Sequence, residues 1–204
     1  MKIIGIGWNY PKHNDEMGRK FVPKEPTIFL MPDSALLKGN KPFFVPDFSE
    51  DVQYETEIVL IINKLGKCID EKFARRYYDQ IALGVDFTAR DLQNEAKEKG
   101  KPWAISKGFD GSAVLSEPIN LSDLPNENAI NFTMEKNGEI VQVGNTKDML
   151  FTFDQLVAYV SRFYTLKTGD LIYTGTPSGV GRVVPGDRLV GKVEGNVMFD
   201  FNCK

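Results

Sequence analysis

Cysteine is scarce in this chain: Cys68 and Cys203 are the only two in 204 residues, and they form no CxxC pair. That usage argues against a disulfide framework and for reduced thiols in a cytosolic protein. Histidine is scarcer still, since His13 stands alone. No apolar run reaches the roughly 18 residues of a membrane-spanning helix. The apolar stretch in "MKIIGIGWNYPKH" is too short for a signal peptide. A charge excess is missing as well: the net charge of −3 gives no reason to expect a nucleic acid or an anionic membrane as partner. Repeats, low-complexity tracts and linkers are absent. What remains is an ordinary soluble composition, 42% hydrophobic and 26% charged. The expectation is a single cytoplasmic domain spanning residues 1–204, long enough to bury a core.

Strand signals dominate that length. "KIIGIG", "TIFLM" (27–31) and "EIVLIIN" (57–63) are apolar and β-prone, and the last is continuous enough to be covered on both faces. "AINFTMEKNGEIVQVG" predicts a hairpin, with Asn137-Gly138 taking the positive φ angles of its turn. "GDLIYTG", "DRLVGKVEG" and "NVMFDFNC" add further strands, with turns at "GDRL" and "EGNV". Helices are few. They are predicted over 70–80 with a Phe73, Tyr77 stripe, over 88–100 with a stop at Gly100 and Pro102, and over 152–164. In the last, Phe153, Leu156, Val157 and Val160 share a face, with Tyr164 one turn further on. Residues 10–26 read as a mobile loop or short helix. The class is mainly β with a few helices outside the sheets, an α+β arrangement.

The chemistry concentrates where charge meets these apolar strands. Glu55 and Glu57 stand two residues apart, so in a strand they face one side with Cα atoms about 6.5–7 Å apart. A solvated strand edge would also accept such a pair. Just upstream of an apolar run, however, two like charges repel unless a cation joins them. Oxygen ligands suit Mg²⁺, Mn²⁺ or Ca²⁺ rather than zinc. Asp86 interrupts the apolar "QIALGVDF" and is either a third carboxylate for that cation or the cap of the following helix. Arg90 and Gln93 follow on one helical face and would hold a carboxylate near the metal.

His13 and Glu16 are one helical turn apart, as a general base and its orienting acid would be, or as a surface histidine near an unrelated acid. Lys107 in "PWAISKGFDG" is either a snorkelling surface charge on the end of a strand or a counter-charge for a substrate anion. Two glycine-rich stretches are decoys. "GIGWNY" has Tyr10 where a dinucleotide fingerprint needs its third glycine, and "TGTPSGVG" lacks the GK[ST] of a phosphate loop. The second reads better as a turn beside the active site, with Thr176 offering its hydroxyl.

Five motifs in order, "NYPKHNDEM", "YETEIVLIINK", "GVDFTARDLQ", "KPWAISKGFDG" and "LIYTGTPSGVG", resemble the fumarylacetoacetate hydrolase superfamily over essentially the whole chain. The similarity is greatest to its short branch of acylpyruvate hydrolases and oxaloacetate decarboxylases. That resemblance implies a mixed-sheet, β-roll-like core of the C-terminal-domain type, a homodimer, and a divalent ion, Mg²⁺ or Mn²⁺, with Ca²⁺ as a substitute in crystals. It implies Glu55, Glu57 and Asp86 as metal ligands. His13 and Glu16 become a water-activating dyad on a segment that orders with substrate, and Lys107 a support for the enolate or the water. Arg90, Gln93 and Thr176 would meet the polar groups of a small 2-oxo or 2,4-diketo acid. Trp8 departs from the pattern, since close relatives often carry arginine there.

The activity implied is metal-dependent cleavage of an acylpyruvate C–C bond through a pyruvate enolate, which needs the complete His13/Glu16 pair. The same site also suits oxaloacetate decarboxylation, or isomerisation and decarboxylation of 2-hydroxy-dienoates in aromatic catabolism. A non-catalytic, metal-stabilised binding module is the remaining alternative, and it has no use for a general base.

Overall fold

The structure, a computed structural model, describes residues 1–18 and 22–204. In chain order its elements are β1 (Ile3–Gly7), α1 (Pro11–Glu16), β2 (Thr27–Met31), β3 (Leu36–Lys38), β4 (Val52–Tyr54), β5 (Thr56–Ile62) and β6 (Tyr78–Asp86). Then come β7 (Thr88–Ala89), α2 (Arg90–Glu98), α3 (Ala104–Lys107), β8 (Ala113–Leu115) and β9 (Ile119–Asn120). The chain ends with β10 (Asn131–Lys136), β11 (Glu139–Asn145), α4 (Phe153–Phe163), β12 (Leu171–Tyr173), β13 (Gly181–Arg182), β14 (Arg188–Val193) and β15 (Asn196–Asn202).

The largest sheet runs β2-β1-β12-β5-β6-β8-β3, with β9 also on β6. It is mixed: β1 pairs β12 and β3 pairs β8 in parallel, and its other pairings are antiparallel. A second sheet, β11-β10-β14-β15, and a small third one, β13-β4-β7, complete the β-roll-like α+β architecture. The continuous apolar run of β5 is covered on both faces. Ile58, Leu60 and Ile62 point into the larger core with Phe132, Phe199 and Leu156, whereas Val59 points into a smaller cluster with Ile3 and Tyr173. Period-2 alternation thus divides one strand between two cores.

Register is what gathers charged residues at one end of the sheet. β5 starts where its antiparallel neighbours β6 and β12 finish, with Thr56 opposite Val85 and Val59 opposite Tyr173. Because β1 lies parallel to β12, the ends of β1, β6 and β12 all reach the beginning of β5. Close packing holds that register. A Cβ at Gly84, opposite Glu57, would lie 2.7 Å from the Val114 carbonyl oxygen and 2.6 Å from the Tyr173 ring. Gly84→Ala should therefore lower unfolding free energy by about 2 kcal/mol, the usual scale of overpacking, as read by urea denaturation.

The turn at Asn137-Gly138 takes the predicted positive φ angles, 55° and 87°, and the turn expected at "EGNV" has φ of 47° and 81° at Glu194-Gly195. The third predicted helix is α4, capped by a reciprocal Thr152/Gln155 box, and its four expected apolar residues are buried. Two helices differ from expectation. Residues 71–77 form a 3₁₀ helix and Tyr78 already begins β6. With three residues per turn, Phe73 and Tyr77 do not share a face, so Phe73 is exposed and Ala74 is buried instead. The helix expected from residue 88 starts at Arg90, because Thr88 and Ala89 pair with β4. In the 10–26 segment α1 is a short helix, and residues 19–21 of that expected loop lie outside the described residues. No helix among the described residues is long and apolar enough to cross a membrane.

Candidate active site

Glu55 occupies the single residue between β4 and β5, where the chain passes from the small sheet to the large one. Glu57 lies two residues into β5's end of the cleft, and Asp86 closes β6, its N–H donating to the Glu55 carbonyl at 2.8 Å. Carboxylate oxygens of Glu55, Glu57 and Asp86 lie within 4.8 Å of one another, and all three side chains are buried. Asp86 caps no helix: the residue preceding α2 is Ala89, which makes no side-chain cap.

Two cations enter this cluster. Lys107 Nζ bridges Glu55 Oε2 and Asp86 Oδ2, 2.6 Å from each. Arg90 pairs with the other oxygen of Glu55 through Nη2, and its Nε and Nη1 donate to Gln53 and Gln93 at 2.8 and 2.7 Å. Neither matches an exposed role. Lys107 ends the helix α3 rather than a strand and is only 2% exposed, so it is not a snorkelling surface charge. Gln93 Oε1, besides accepting from Arg90, accepts from Lys97 at 2.8 Å.

The remaining predicted residues arrive from two directions. α1 carries His13 into the same cleft, with Nδ1 3.3 Å from Glu16 Oε2. Thr176 comes from the loop after β12, donating its hydroxyl to the Thr56 carbonyl at 2.9 Å. All nine side chains singled out in the sequence thus converge on one region, eight of them lining a single cleft and Glu16 standing behind His13. A roomier cavity of about 300 Å³ beside Arg75, Tyr78 and Asp154 contains none of them.

Three further groups were not legible in advance. The Gly175 N–H donates to Glu57 Oε2 at 2.8 Å, and the Gly179 N–H donates to Glu16 at 3.0 Å. Gln142, from the second sheet, accepts from the Thr56 N–H and donates to Thr176 and to the Pro177 carbonyl, each at 2.9 Å. Its only sequence signal is a long amide on the side of β11 that the hairpin buries.

The electrostatics follow from burial. Burial pushes Glu57 well above the usual carboxylate range, and the charges of Asp86 and Glu55 add to it against Lys107. Burial likewise lifts Asp86 to about 7, with Lys107 pulling the other way. For Glu55, burial is overcome by the charges of Lys107 and Arg90, which hold it below the usual range. Burial disfavours charge on Lys107 too, but Asp86 and Glu55 outweigh it and raise the ammonium above its ordinary value. Burial also lowers His13 from 6.5, against the Glu55 charge and the Glu16 hydrogen bond, which favours neutral imidazole near pH 7.

Ionising all three carboxylates against two cations would leave a formal negative charge in a buried place, which is costly without a further positive partner. Asp86 Oδ1 is buried with no hydrogen-bond partner among the described residues. An orphaned oxygen within an all-carboxylate donor set fits a hard divalent cation.

Comparison with known proteins agrees with that chemistry. Residues 2–199 match the family described as fumarylacetoacetate (FAA) hydrolase C-terminal. A mitochondrial oxaloacetate decarboxylase of Dictyostelium discoideum is 42% identical over 204 residues, covering 98% of this chain and 93% of that protein. The mitochondrial oxaloacetate tautomerase FAHD1 of Mus musculus is 37% identical over 202 residues, covering 99% and 91%. The crystal structure of a fumarylpyruvate hydrolase from Pseudomonas aeruginosa, in complex with Mn²⁺ and pyruvate, superposes with a TM-score of 0.94 at 31% identity, covering 100% of this chain and 89% of that one.

Proposed function

Because this chain belongs to the fumarylacetoacetate hydrolase family, we propose that it is a divalent-metal-dependent hydrolase of acylpyruvate-type 2,4-diketo acids, acting in the cytoplasm as a homodimer whose protomers are single catalytic domains. The observation carrying this reading is the His13–Glu16 pair beside the three buried carboxylates. Decarboxylation has no use for an activated water, whereas hydrolysis does.

Glu55, Glu57 and Asp86 would hold the metal, Mg²⁺ or Mn²⁺. Once bound, such a cation supplies Lewis-acid stabilisation of the negative charge that develops during C–C cleavage. Glu16, itself fixed by the Gly179 N–H, accepts from His13 Nδ1–H and leaves Nε2 as the base. His13 removes a proton from water, the hydroxide adds to the 4-carbonyl, and the C3–C4 bond breaks. The acyl part leaves as a carboxylic acid, and the electron pair passes to the pyruvate enolate, which is then protonated at C3. Lys107 contributes positive charge beside the enolate. Arg90 holds Glu55 in place, and Gln93 and Thr176 border the substrate's polar groups.

The test is His13→Ala, assayed with Mg²⁺. Acetylpyruvate cleavage should fall about 10²–10⁴-fold, the span of general-base contributions, while oxaloacetate decarboxylation falls far less. Equal losses would remove His13 from water activation. Oxaloacetate decarboxylation is the second reading, favoured by the 42% identical relative of that name. Turnover of neither compound would favour the binding module. The pH profile gives an independent check. Hydrolysis needs unprotonated His13, so activity should be lost as pH falls, with its acid midpoint below the ordinary histidine value of 6.5. A midpoint above 6.5 would contradict the buried, neutral base.

A further inference from the structure

The cleft has a second wall, which the chemistry above does not use. Trp8, Phe29 and Trp103 line it beside the charged cluster. The Trp8 and Trp103 rings meet edge to face with centroids 5.1 Å apart, and Phe29 continues the row 5.8 Å from Trp103. The row begins at the lysine, since Lys107 Nζ lies 5.1 Å from the Phe29 ring centroid.

The chain is shaped to accommodate these rings. Gly5 and Gly7 share a face of β1, and the rings lie directly on it. A Cβ at Gly5 would come within 2.2 Å of Phe29 Cζ, and one at Gly7 within 3.3 Å of Trp103 Cζ3. The "GIG" that imitates a nucleotide motif therefore serves as a flat bed for two aromatic side chains. Trp8 follows at φ 65°, a conformation that costs a bulky residue about 1 kcal/mol or more and persists only where its surroundings enforce it. Those surroundings are visible. Asn14 donates to the Trp8 carbonyl at 3.1 Å, and Asn9 is fixed by bonds to both the N–H and the carbonyl of Phe151 and to the Thr174 carbonyl.

We infer that this wall is the acyl-group subsite and selects substrates whose end remote from the 2-oxo acid is uncharged and apolar, an alkyl or aryl acyl group rather than a carboxylate-ended one. The inference rests on the acylpyruvate reading for the term "acyl", but the apolar preference is testable without turnover. A cation does stand at the rim: Lys97 borders the cleft, with Nζ donating to Gln93 and lying 5.7 Å from the Trp103 ring centroid. Its Nζ is engaged by the Gln93 amide and faces the Trp103 indole.

Trp8 and Trp103 are the only tryptophans in the chain, so intrinsic emission reports on this wall without a label. The experiment titrates Mg²⁺-loaded protein with 4-methyl-2-oxopentanoate, 2-oxoglutarate and pyruvate, following tryptophan fluorescence and calorimetric heat. The first two share a 2-oxo acid head and a five-carbon main chain and differ in the distal group. The branched apolar acid should bind about tenfold more tightly than 2-oxoglutarate, the scale of burying a few methyl groups, and should change the emission. In Trp8→Gly, which removes the ring and accepts the positive φ, the ratio should fall to within about twofold while pyruvate affinity is kept. Equal or tighter binding of 2-oxoglutarate by the wild type, or no binding of any of the three, would overturn the assignment. Lys97→Gln then identifies whether the rim ammonium is responsible. Absent acylpyruvate turnover with the apolar preference intact would retract the reaction and leave the subsite.

Discussion

Glu57→Gln should give a protein that folds normally, binds Mn²⁺ roughly 100-fold or more weakly, and cleaves no acetylpyruvate. The bound on affinity is the loss seen when only a ligand's supporting partner is removed, which losing the ligand itself should at least equal. The fold should survive for a specific reason. Burial and the neighbouring carboxylates already favour the neutral acid at Glu57, and glutamine has that acid's shape. Its amide oxygen can still accept from the Gly175 N–H. Calorimetric titration with Mn²⁺ beside a thermal melt separates the two effects. Unchanged affinity would remove Glu57 from the metal site. Glu55→Ala should also abolish metal-dependent activity, but it strips Arg90 and Lys107 of a buried counter-charge and so destabilises the protein as well.

Lys107→Met should instead weaken the fold, by about 3–5 kcal/mol in urea unfolding without metal, the range for a buried ion pair left with one partner. The ammonium is buried and bridges two carboxylates, and Arg90, the other cation acting on Asp86, pairs directly with Glu55 instead. The penalty should depend on pH with a definite sign. Asp86 has a folded pKa of about 7 against an ordinary 3.8, so its contribution favours the fold below about 4 and is lost as pH rises through 7. Without Lys107 that loss deepens, and the variant should be harmed more at pH 8 than at pH 5. Saturating Mn²⁺ should restore part of the stability, because a ligand that binds only the folded state stabilises it in proportion to the logarithm of its concentration. A penalty that is the same at both pH values and insensitive to Mn²⁺ would mean that Lys107 is held by packing rather than charge.

Much of this site is legible in the sequence, and the reason is local periodicity. Glu55 and Glu57 share a face because strand side chains repeat every second residue, and His13 reaches Glu16 because helical side chains meet three apart. Asp86 stood out as an acid inside an apolar stretch. What stayed hidden came from long range or from the main chain. Gln142 is 86 residues from the Thr56 N–H it accepts, and no spacing rule connects them. The Gly175 and Gly179 N–H groups have no side chain to betray them. Lys107 was ambiguous because a lysine near glycines reads alike on a surface and in a core. The fold followed the same division. Strands and tight turns obeyed alternation and positive-φ chemistry, whereas residues 71–77 took a 3₁₀ winding and Thr88–Ala89 joined a ladder that only the distant β4 could offer.

Gln142 has one more effect, on how the enzyme wears out. It reaches across from the β10–β11 hairpin to tie down both the strand bearing the acids and the loop bearing Thr176. The alignment of the reactive groups is therefore anchored on a neighbouring sheet. Mild heating that frays this hairpin should silence turnover while most of the ellipticity survives, so loss of activity would be an earlier alarm than melting.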